Sequence, residues 1–279
     1  MATEELLQAE ARERPRVAVA AGIAAFFTIG APIVGLVALG GAADNLLASA
    51  LQSQQHLTGL AVGKAFQIVG VIAIALVLDF LVRAARARNP QLPALLRPLP
   101  WLGGIALAIM LAVLQVVATV KLNHFANEGT QTYDEAKAVT DYGAIDYFAI
   151  LAQLVFAFAF VAVSVSAMRA GLLTRFLGYL GLISGILFVF PVITIPIVQV
   201  YWLGMVAMLL SGRAPGGMPP AWQTGEAVPW PSSAELREAR VRAAEERRTG
   251  GEADIAEPPQ QSGAGPSPAT SRRKRKKRR

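Results

Sequence analysis

The sequence predicts an all-α protein, a polytopic membrane helix bundle with six transmembrane helices and both chain ends on the cytoplasmic side. Of its 279 residues, 54% are hydrophobic and only 16% are charged, whereas soluble domains carry about 25% charge. Apolar blocks of some twenty residues recur along the chain, and each is long enough to cross ~30 Å of hydrocarbon. Arginine and lysine are concentrated in alternate connections between these blocks, as the positive-inside rule requires.

The first span is predicted over residues 17–39, which contain no charged side chain. Residues 1–16 before it are polar and predict at most a short surface helix. A cleavable signal has an apolar core of roughly 7–15 residues, so we expect an uncleaved span. Gly30 and Pro32 inside the span favour a kink, and a broken helix of the transporter type is the alternative that they leave open.

Five further spans follow, and the last two form a hairpin. Three apolar blocks predict single spans over residues 62–82, 101–120 and 145–168. The last apolar block, residues 177–210, is too long for one ordinary span. Pro191 and Pro196 in its middle lack amide donors and disfavour a continuous helix. We therefore expect span five over residues 172–191 and span six over residues 196–210.

The basic residues of the connections favour six spans over five. Residues 83–100 contain four arginines and residues 169–176 contain two, while the connection after span one has no base before Lys64. Arginine-rich connections are expected on the cytoplasmic side. Six spans satisfy this rule and keep both termini inside an inner membrane, whereas five would send the basic C-terminus across it.

A change of composition marks the end of the transmembrane domain, residues 17–213. Residues 214–231 are rich in proline, glycine and tryptophan and are expected to be a juxtamembrane linker. Trp222 and Trp230 are suited to the headgroup level of the bilayer.

The C-terminal part predicts a short charged helix and then a disordered tail. Ser232 and Glu235 have the spacing of a capping box, which opens a helix over residues 232–248. Residues 249–279 are rich in glycine, proline, serine and glutamine and lack aromatic residues, which predicts disorder. The tail ends in a polybasic run: Arg272, Arg273, Lys274, Arg275, Lys276, Lys277, Arg278 and Arg279.

The polybasic run accounts for the basic character of the whole chain. It holds eight of the 26 basic residues, and the other 18 are balanced by 19 acidic ones. We expect the run to contact anionic lipid headgroups, at about 1 kcal/mol per basic residue. A solvated tail without a specific partner is the second interpretation, and nucleic acid is the least favoured ligand.

Polar residues inside the spans are the best pointers to function, because an ionisable group costs roughly 2.5–3.5 kcal/mol at mid-bilayer. One hypothesis joins such residues in a polar seam between spans two and four, with an ion pair of Lys64 and Asp146 at its outer mouth and Gln199 as a further candidate member. The polar seam consists of Lys64, Gln67, Gln115, Asp146 and Gln153.

The competing interpretation of these residues is helix packing. Lys64 and Asp146 would extend to the interface, Asp79 would pair with Arg83, and the glutamines would bond between helices. The sequence favours packing, because charges near the ends of spans need no functional explanation.

Small residues and the remaining ligand-forming residues point to structure rather than chemistry. Gly178, Gly181 and Gly185 form a small-residue face that predicts close approach to a neighbouring helix or a partner subunit. His124 and Glu128 could offer ligands to a divalent cation, but we expect a solvated loop and no metal site. No cysteine is present, and nucleotide, zinc-helix and serine-elbow motifs are absent. We therefore expect no cofactor.

One segment carries a family resemblance. Residues 169–182, followed by Gly185, include Gly171, Leu172, Arg175, Leu177, Gly178, Leu180 and Gly181. This segment resembles the G-L-x-x-R-x-L-G-x-L-G stretch before the fifth span of uncharacterised bacterial six-span integral membrane protein families, each a domain of unknown function. The resemblance implies the six-span architecture and supplies no catalytic residue, because those families have no assigned activity.

The sequence thus predicts an integral membrane protein that is an accessory or interaction protein rather than an enzyme. Its expected partners are the bilayer, anionic lipid headgroups, and a membrane-protein partner or a second copy of the chain. The alternative function is a small-solute or ion transporter or channel that uses the polar seam. An intramembrane enzyme is the third alternative, for which no pair of nucleophile and base can be named.

Overall fold

A computed structural model describes residues 3–41, 43–190, 196–214, 217–228, 235, 237–238 and 241–243. These residues form helices, turns and short connections, and no strand occurs among them. The chain divides into two compact units, residues 1–230 and residues 231–279. In the second unit the described residues are helical and exposed.

Nine α-helices are found in the described part of the chain, together with a 3-10 turn at Ala94–Leu96. They are α1 (Thr3–Leu39), α2 (Leu46–Gln55), α3 (Leu57–Arg88), α4 (Leu99–Asn127), α5 (Tyr133–Thr140), α6 (Ala144–Arg169), α7 (Arg175–Val189), α8 (Ile197–Leu210) and α9 (Ala221–Thr224).

Four stretches among the described residues are long and apolar enough to cross a membrane, and this supports a membrane protein. They are Glu4–Leu39, Leu57–Arg88, Ala94–Asn127 and Tyr133–Arg169. Large apolar side chains such as Phe26, Val116 and Phe158 are about 60% exposed on their surfaces. A soluble monomer rarely leaves such continuous apolar surface in water. These surfaces are suited to contact with lipid acyl chains.

Helix α1 is longer than the sequence predicts. The polar residues 3–16 continue the first apolar span as one helix, so the expectation of a short separate surface helix is wrong. Glu10 is 8% exposed because its carboxylate is paired with Arg88 of α3. The helix also continues through Gly30 and Pro32, so the broken helix of the transporter type is not present here.

Six helices form a ring in the order α1, α3, α4, α6, α7 and α8, with α8 returning to α1. Helices α3 and α6 also touch across the ring. The core between them contains the fully buried side chains of Phe80, Phe156, Phe160, Trp202 and Leu203. We call the end of the bundle that holds Arg83, Arg88 and Arg169 the arginine end.

The opposite end is covered by two short helices that the sequence analysis does not predict. Helices α2 and α5 pack against the end of α4, and we call this the capped end. Asn45 accepts a hydrogen bond from the Ala48 N–H at the start of α2, at 2.8 Å. A separate small core joins these helices, made of Ala50, Leu122, Phe125, Ala136 and Val139.

The predicted juxtamembrane linker packs onto the bundle in its described part. Trp222 is only 2% exposed. Its ring stacks on Phe80 at 5.7 Å between centroids, and its indole N–H donates to the Leu172 carbonyl at 2.9 Å. The expectation that Trp222 lies at the headgroup level is therefore wrong, since its polar group finds a partner inside the protein. Trp230 lies outside the described residues.

Candidate functional site

A cavity of about 670 Å³ lies between the ring helices, on the side of the bundle toward the capped end. Helices α1, α3, α4, α6, α7 and α8 all contribute to its wall. This volume is in the range of sites that hold small molecules, roughly 300–1,000 Å³. All five residues of the polar seam line it, and so does Gln199: Lys64, Gln67, Gln115, Asp146, Gln153 and Gln199.

The cavity reaches far into the bundle. On α3 its lining runs from Leu60 through Lys64 to Ile74. At 1.5 Å per residue, the ten residues from Lys64 to Ile74 cover about 15 Å, which is half of a ~30 Å hydrocarbon layer. The deep part is apolar, with Val71 and Ile74 of α3 opposite Leu107 of α4. Polar groups are therefore concentrated toward the capped end.

The predicted ion pair of Lys64 and Asp146 is absent. Lys64 Nζ instead donates to Gln67 Oε1, one turn along its own helix, at 3.1 Å. Asp146 Oδ2 accepts the backbone N–H of Tyr142, at 3.2 Å. Asp146 lies in the first turn of α6, where a carboxylate satisfies the unpaired amides that precede the helix. Both charges thus find local partners, and neither is paired with an opposite charge among the described residues.

Three glutamines of the cavity have their amide nitrogens bound to the protein. Gln153 Nε2 donates to the Phe188 carbonyl of α7, and Gln199 Nε2 donates to the Ser184 carbonyl at 3.4 Å. Gln115 Nε2 donates to Thr119 Oγ1 at 3.3 Å, while that hydroxyl donates to the Gln115 carbonyl. Since these partners act as acceptors, the amide orientations are fixed. Within the described part of the chain, each side chain keeps its Oε1 atom as an unused acceptor.

Helices α7 and α8 are short, and the end of α7 and the start of α8 form one wall of the cavity. They have 15 and 14 residues, so each is only about 22 Å long at 1.5 Å per residue. Phe188 at one end and Pro196 at the start of the other line the cavity. Gln153 holds this end of the hairpin to α6. Residues 191–195, including Pro191, lie outside the described residues.

Two polar residues of the cavity are not among those predicted from the sequence. Tyr142 and Thr28 line it together with the seam. Tyr142 lies one turn before Asp146, and this spacing is a signal that could have identified it. Lys121 Nζ lies 5.4 Å from the centre of the Tyr142 ring. Thr28 belongs to α1, whose sequence carries no polar pattern that points to a site.

The small-residue face of α7 points into the bundle. It comprises Gly178, Gly181 and Gly185. A Cβ at these positions would collide with Met168, Ser164 and Val161 of α6, respectively. The face therefore brings α7 close to α6, and it is not a surface for a second subunit.

The arginine end holds an ion-pair cluster that local sequence patterns do not reveal. Arg88 Nη1 and Nη2 each donate to Glu10 at 2.7 Å, and the Arg88 side chain is fully buried. Arg88 Nε donates to the Ala221 carbonyl at 2.9 Å, and its guanidinium lies 5.1 Å from the Trp222 ring centre. This arginine therefore joins α1, α3 and the segment after α8.

Arg83 makes a second connection between α3 and α1, closer to the surface. Arg83 binds both carboxylate oxygens of Glu13. Its Nε atom also donates to Asp79 at 3.0 Å, so the predicted pair of Asp79 and Arg83 is present. Together, the pairs fix the polar start of α1 along the last turns of α3.

The other candidate ligands do not form a site among the described residues. His124 Nδ1 lies 2.8 Å from Glu128 Oε2 on the exposed surface of α4. In the described segments, no group of three histidine, aspartate or glutamate side chains could hold a metal ion. Ser232 and the polybasic run from Arg272 to Arg279 lie outside the described residues.

Comparisons with known proteins find no matching family model, no matching curated protein and no matching solved structure. Inference about function therefore depends on the cavity and its residues.

Proposed function

We propose that this protein binds a small polar solute in the cavity from the outer side of the membrane and takes part in its transport. The observation that supports this function is the convergence of Lys64, Gln67, Gln115, Asp146 and Gln153, from three helices, on one cavity of about 670 Å³. Glutamines that serve only as packing contacts would fill the space between helices. Here they surround a space that a solute can occupy.

The proposal includes six membrane-embedded helices in an inner membrane, with both termini cytoplasmic. The arginines at the arginine end support this orientation, since cytoplasmic connections are rich in Arg and Lys. Helices α7 and α8 are short for complete spans. A hairpin returns to the side on which it begins, whether or not it crosses completely, so their length leaves the side of the C-terminus unchanged. The resemblance of residues 169–182 to bacterial six-span families agrees with this layout.

An accessory role, in which the bound solute is sensed rather than moved, is the second candidate. It is favoured by the closed arginine end, where Trp202 and Trp222 are at most 2% exposed. A transporter must open this end during its cycle, whereas a sensor need not. The same role would allow a membrane-protein partner, and the polybasic run is proposed to bind anionic lipid headgroups on the cytoplasmic side.

Access to the cavity can be tested by labelling, because the chain contains no cysteine. We expect Gln115→Cys and Gln153→Cys to react with a membrane-impermeant thiol reagent added outside intact cells. Val116→Cys is a matched control that should stay unlabelled, since Val116 adjoins Gln115 at the same depth, is 63% exposed on the lipid-facing surface of α4 and lies outside the cavity. If neither cavity position is labelled while a cysteine at the exposed Asn127 is, the proposed water-filled site is wrong.

Transport and sensing are separated by flux through reconstituted liposomes. For a transporter, Lys64→Met and Asp146→Asn should abolish solute uptake and leave folding intact. Lys137→Met and Asp134→Asn remove the same two charges from exposed positions of helix α5 and should leave uptake unchanged. Solute binding by the wild-type protein without any uptake would favour the sensor.

A further inference from the structure

We propose that the solute is a zwitterion with an apolar side chain, an α-amino acid in its chemistry, whose carboxylate faces α3 and whose ammonium group faces α4 and α6. This inference deepens the proposed function and rests on it. The observation that carries it is the separation of hydrogen-bond donors and acceptors on opposite walls of the cavity.

The α3 wall offers donors. Lys64 has three ammonium N–H groups, and one of them is used by Gln67 Oε1. An ammonium group can only donate, so this bond fixes the Gln67 amide with its oxygen toward Lys64. The Nε2 group of Gln67 has no partner among the described residues. Two N–H groups of Lys64 and the Gln67 amide are thus available to an anion, and charge-assisted bonds of this kind are the strong ones.

The facing wall offers acceptors. Asp146 on α6 uses one carboxylate oxygen for the Tyr142 N–H, and its other oxygen accepts no hydrogen bond from the residues that the structure describes. Gln115 on α4 and Gln153 on α6 bind the protein through Nε2 and keep Oε1 unused. A primary ammonium group has three N–H donors and no acceptor. Its chemistry complements this wall, while a second carboxylate there would meet only acceptors.

Charge balance favours a zwitterion over a singly charged solute. Lys64 and Asp146 are the two charged side chains among the described lining residues. A solute with one charge would displace water from both and compensate only one of them. The unpaired charge would then carry the desolvation cost alone. A zwitterion compensates both and leaves the net charge of the cavity unchanged.

The deep part of the cavity selects for an apolar side chain. Below the polar groups it is lined by Ile74, Leu107 and Leu111. With both charged groups held near the capped end, the remainder of the solute extends toward these residues. Burying it there is favourable by roughly 25 cal/mol per Å² of apolar surface. A medium-sized aliphatic side chain fits the volume.

Three commercially available compounds isolate the contributions of the two charges. L-Leucine has both groups, 4-methylpentanoate lacks the ammonium group, and 3-methylbutylamine lacks the carboxylate. Binding to the purified full-length protein in lipid nanodiscs can be measured by isothermal titration calorimetry. We expect leucine to bind at least about tenfold more tightly than either analogue, the change expected for loss of one charge-assisted hydrogen bond.

Single substitutions assign each charge to its wall. Lys64→Met should weaken leucine binding about tenfold, and Asp146→Asn should do the same. Lys64→Met should not weaken 3-methylbutylamine, and Asp146→Asn should not weaken 4-methylpentanoate, because each substitution removes the charge that the analogue leaves unpaired. Lys137→Met and Asp134→Asn again serve as controls, and size-exclusion chromatography with circular dichroism verifies folding.

Two results would overturn the zwitterion. One is an analogue that binds as tightly as leucine, and the other is the absence of leucine binding. Neither result contradicts the proposed function if Gln153→Cys is labelled from outside. Failure of the labelling itself is what contradicts the water-accessible cavity. The zwitterion can therefore fail while the proposed function stands, and the labelling result distinguishes the two failures.

Discussion

The two ends of the bundle use charged residues in opposite ways. At the arginine end, Arg88 is fully buried and has Glu10, the Ala221 carbonyl and the Trp222 ring as partners. Toward the capped end, Lys64 and Asp146 are only half-buried, and neither has a partner of opposite charge. A buried charge is tolerated when it is paired and hydrogen-bonded. The paired Arg88 closes the bundle at the arginine end. Lys64 and Asp146 keep hydrogen-bonding groups that a solute in the cavity can use.

Two glycines mark the contrast between close packing and the cavity. Gly103, near the start of α4 at the arginine end, lies against the Phe156 backbone of α6. Gly35 lines the cavity and has open space around it. The open space belongs to the cavity and not to the whole capped end, since Gly59 is closely packed against Ala38. Four sets of substitutions test the difference between the paired charges and the cavity.

The largest effect is expected from breaking the buried pair at the arginine end. Arg88→Met leaves Glu10 buried without its cation and should lower the free energy of unfolding by about 3–5 kcal/mol. Arg83→Met, which removes a half-exposed arginine, should cost about 0.2–1 kcal/mol. Unfolding in mixed micelles, followed by circular dichroism, measures both. The double variant Glu10→Gln with Arg88→Met should regain part of the loss, and a larger loss would contradict the assignment.

Trp222→Phe should destabilise the arginine end by about 1–3 kcal/mol, because the buried Leu172 carbonyl loses its hydrogen bond. Trp101→Phe is a matched control, since Trp101 is half-buried and its indole donates no hydrogen bond to the described residues. The quantity to compare is the shift in thermal midpoint. Equal shifts for the two variants would mean that Trp222 contributes only apolar area.

An added methyl group distinguishes the close contact at Gly103 from the open space at Gly35. Gly103→Ala should cost about 1–3 kcal/mol, because its Cβ would lie 2.7 Å from the Phe156 Cα atom. Gly35→Ala should be neutral or stabilising by up to about 1 kcal/mol, as alanine is the better helix former. Unfolding free energies again provide the measurement. A costly Gly35→Ala would show that the cavity is more closely packed than described.

The smallest effect concerns the hairpin. Gln153→Leu removes the bond from α6 to the Phe188 carbonyl and should cost about 0.5–1.5 kcal/mol. Gln115→Leu loses only a bond within α4 and should change stability by less than about 0.5 kcal/mol. Hydrogen exchange in α7 is the more sensitive probe. It should increase for Gln153→Leu and stay constant for Gln115→Leu.

Much of the helical layout could be predicted from the sequence, because hydropathy is a local property. Each predicted span overlaps one apolar helix, although α1 begins well before the first predicted span. Asp79 pairs with Arg83 one turn away, as the spacing indicates. The polar seam could be identified as a set, since its members share helix faces. The sequence could not show that Lys64 and Asp146 do not pair. Each side chain instead bonds to a residue three or four positions away, Lys64 to Gln67 and Asp146 to Tyr142.

The sequence by itself predicted helices that are long and apolar enough to cross a membrane, since hydropathy and block length are local properties and backbone groups in lipid are satisfied within a helix. Only the tertiary structure decided which charges are buried and which face a cavity. Glu10 and Arg88 are 78 residues apart, and Trp222 reaches Leu172 across 50. Such contacts depend on the order of helices around the ring, and hydropathy carries no information about that order.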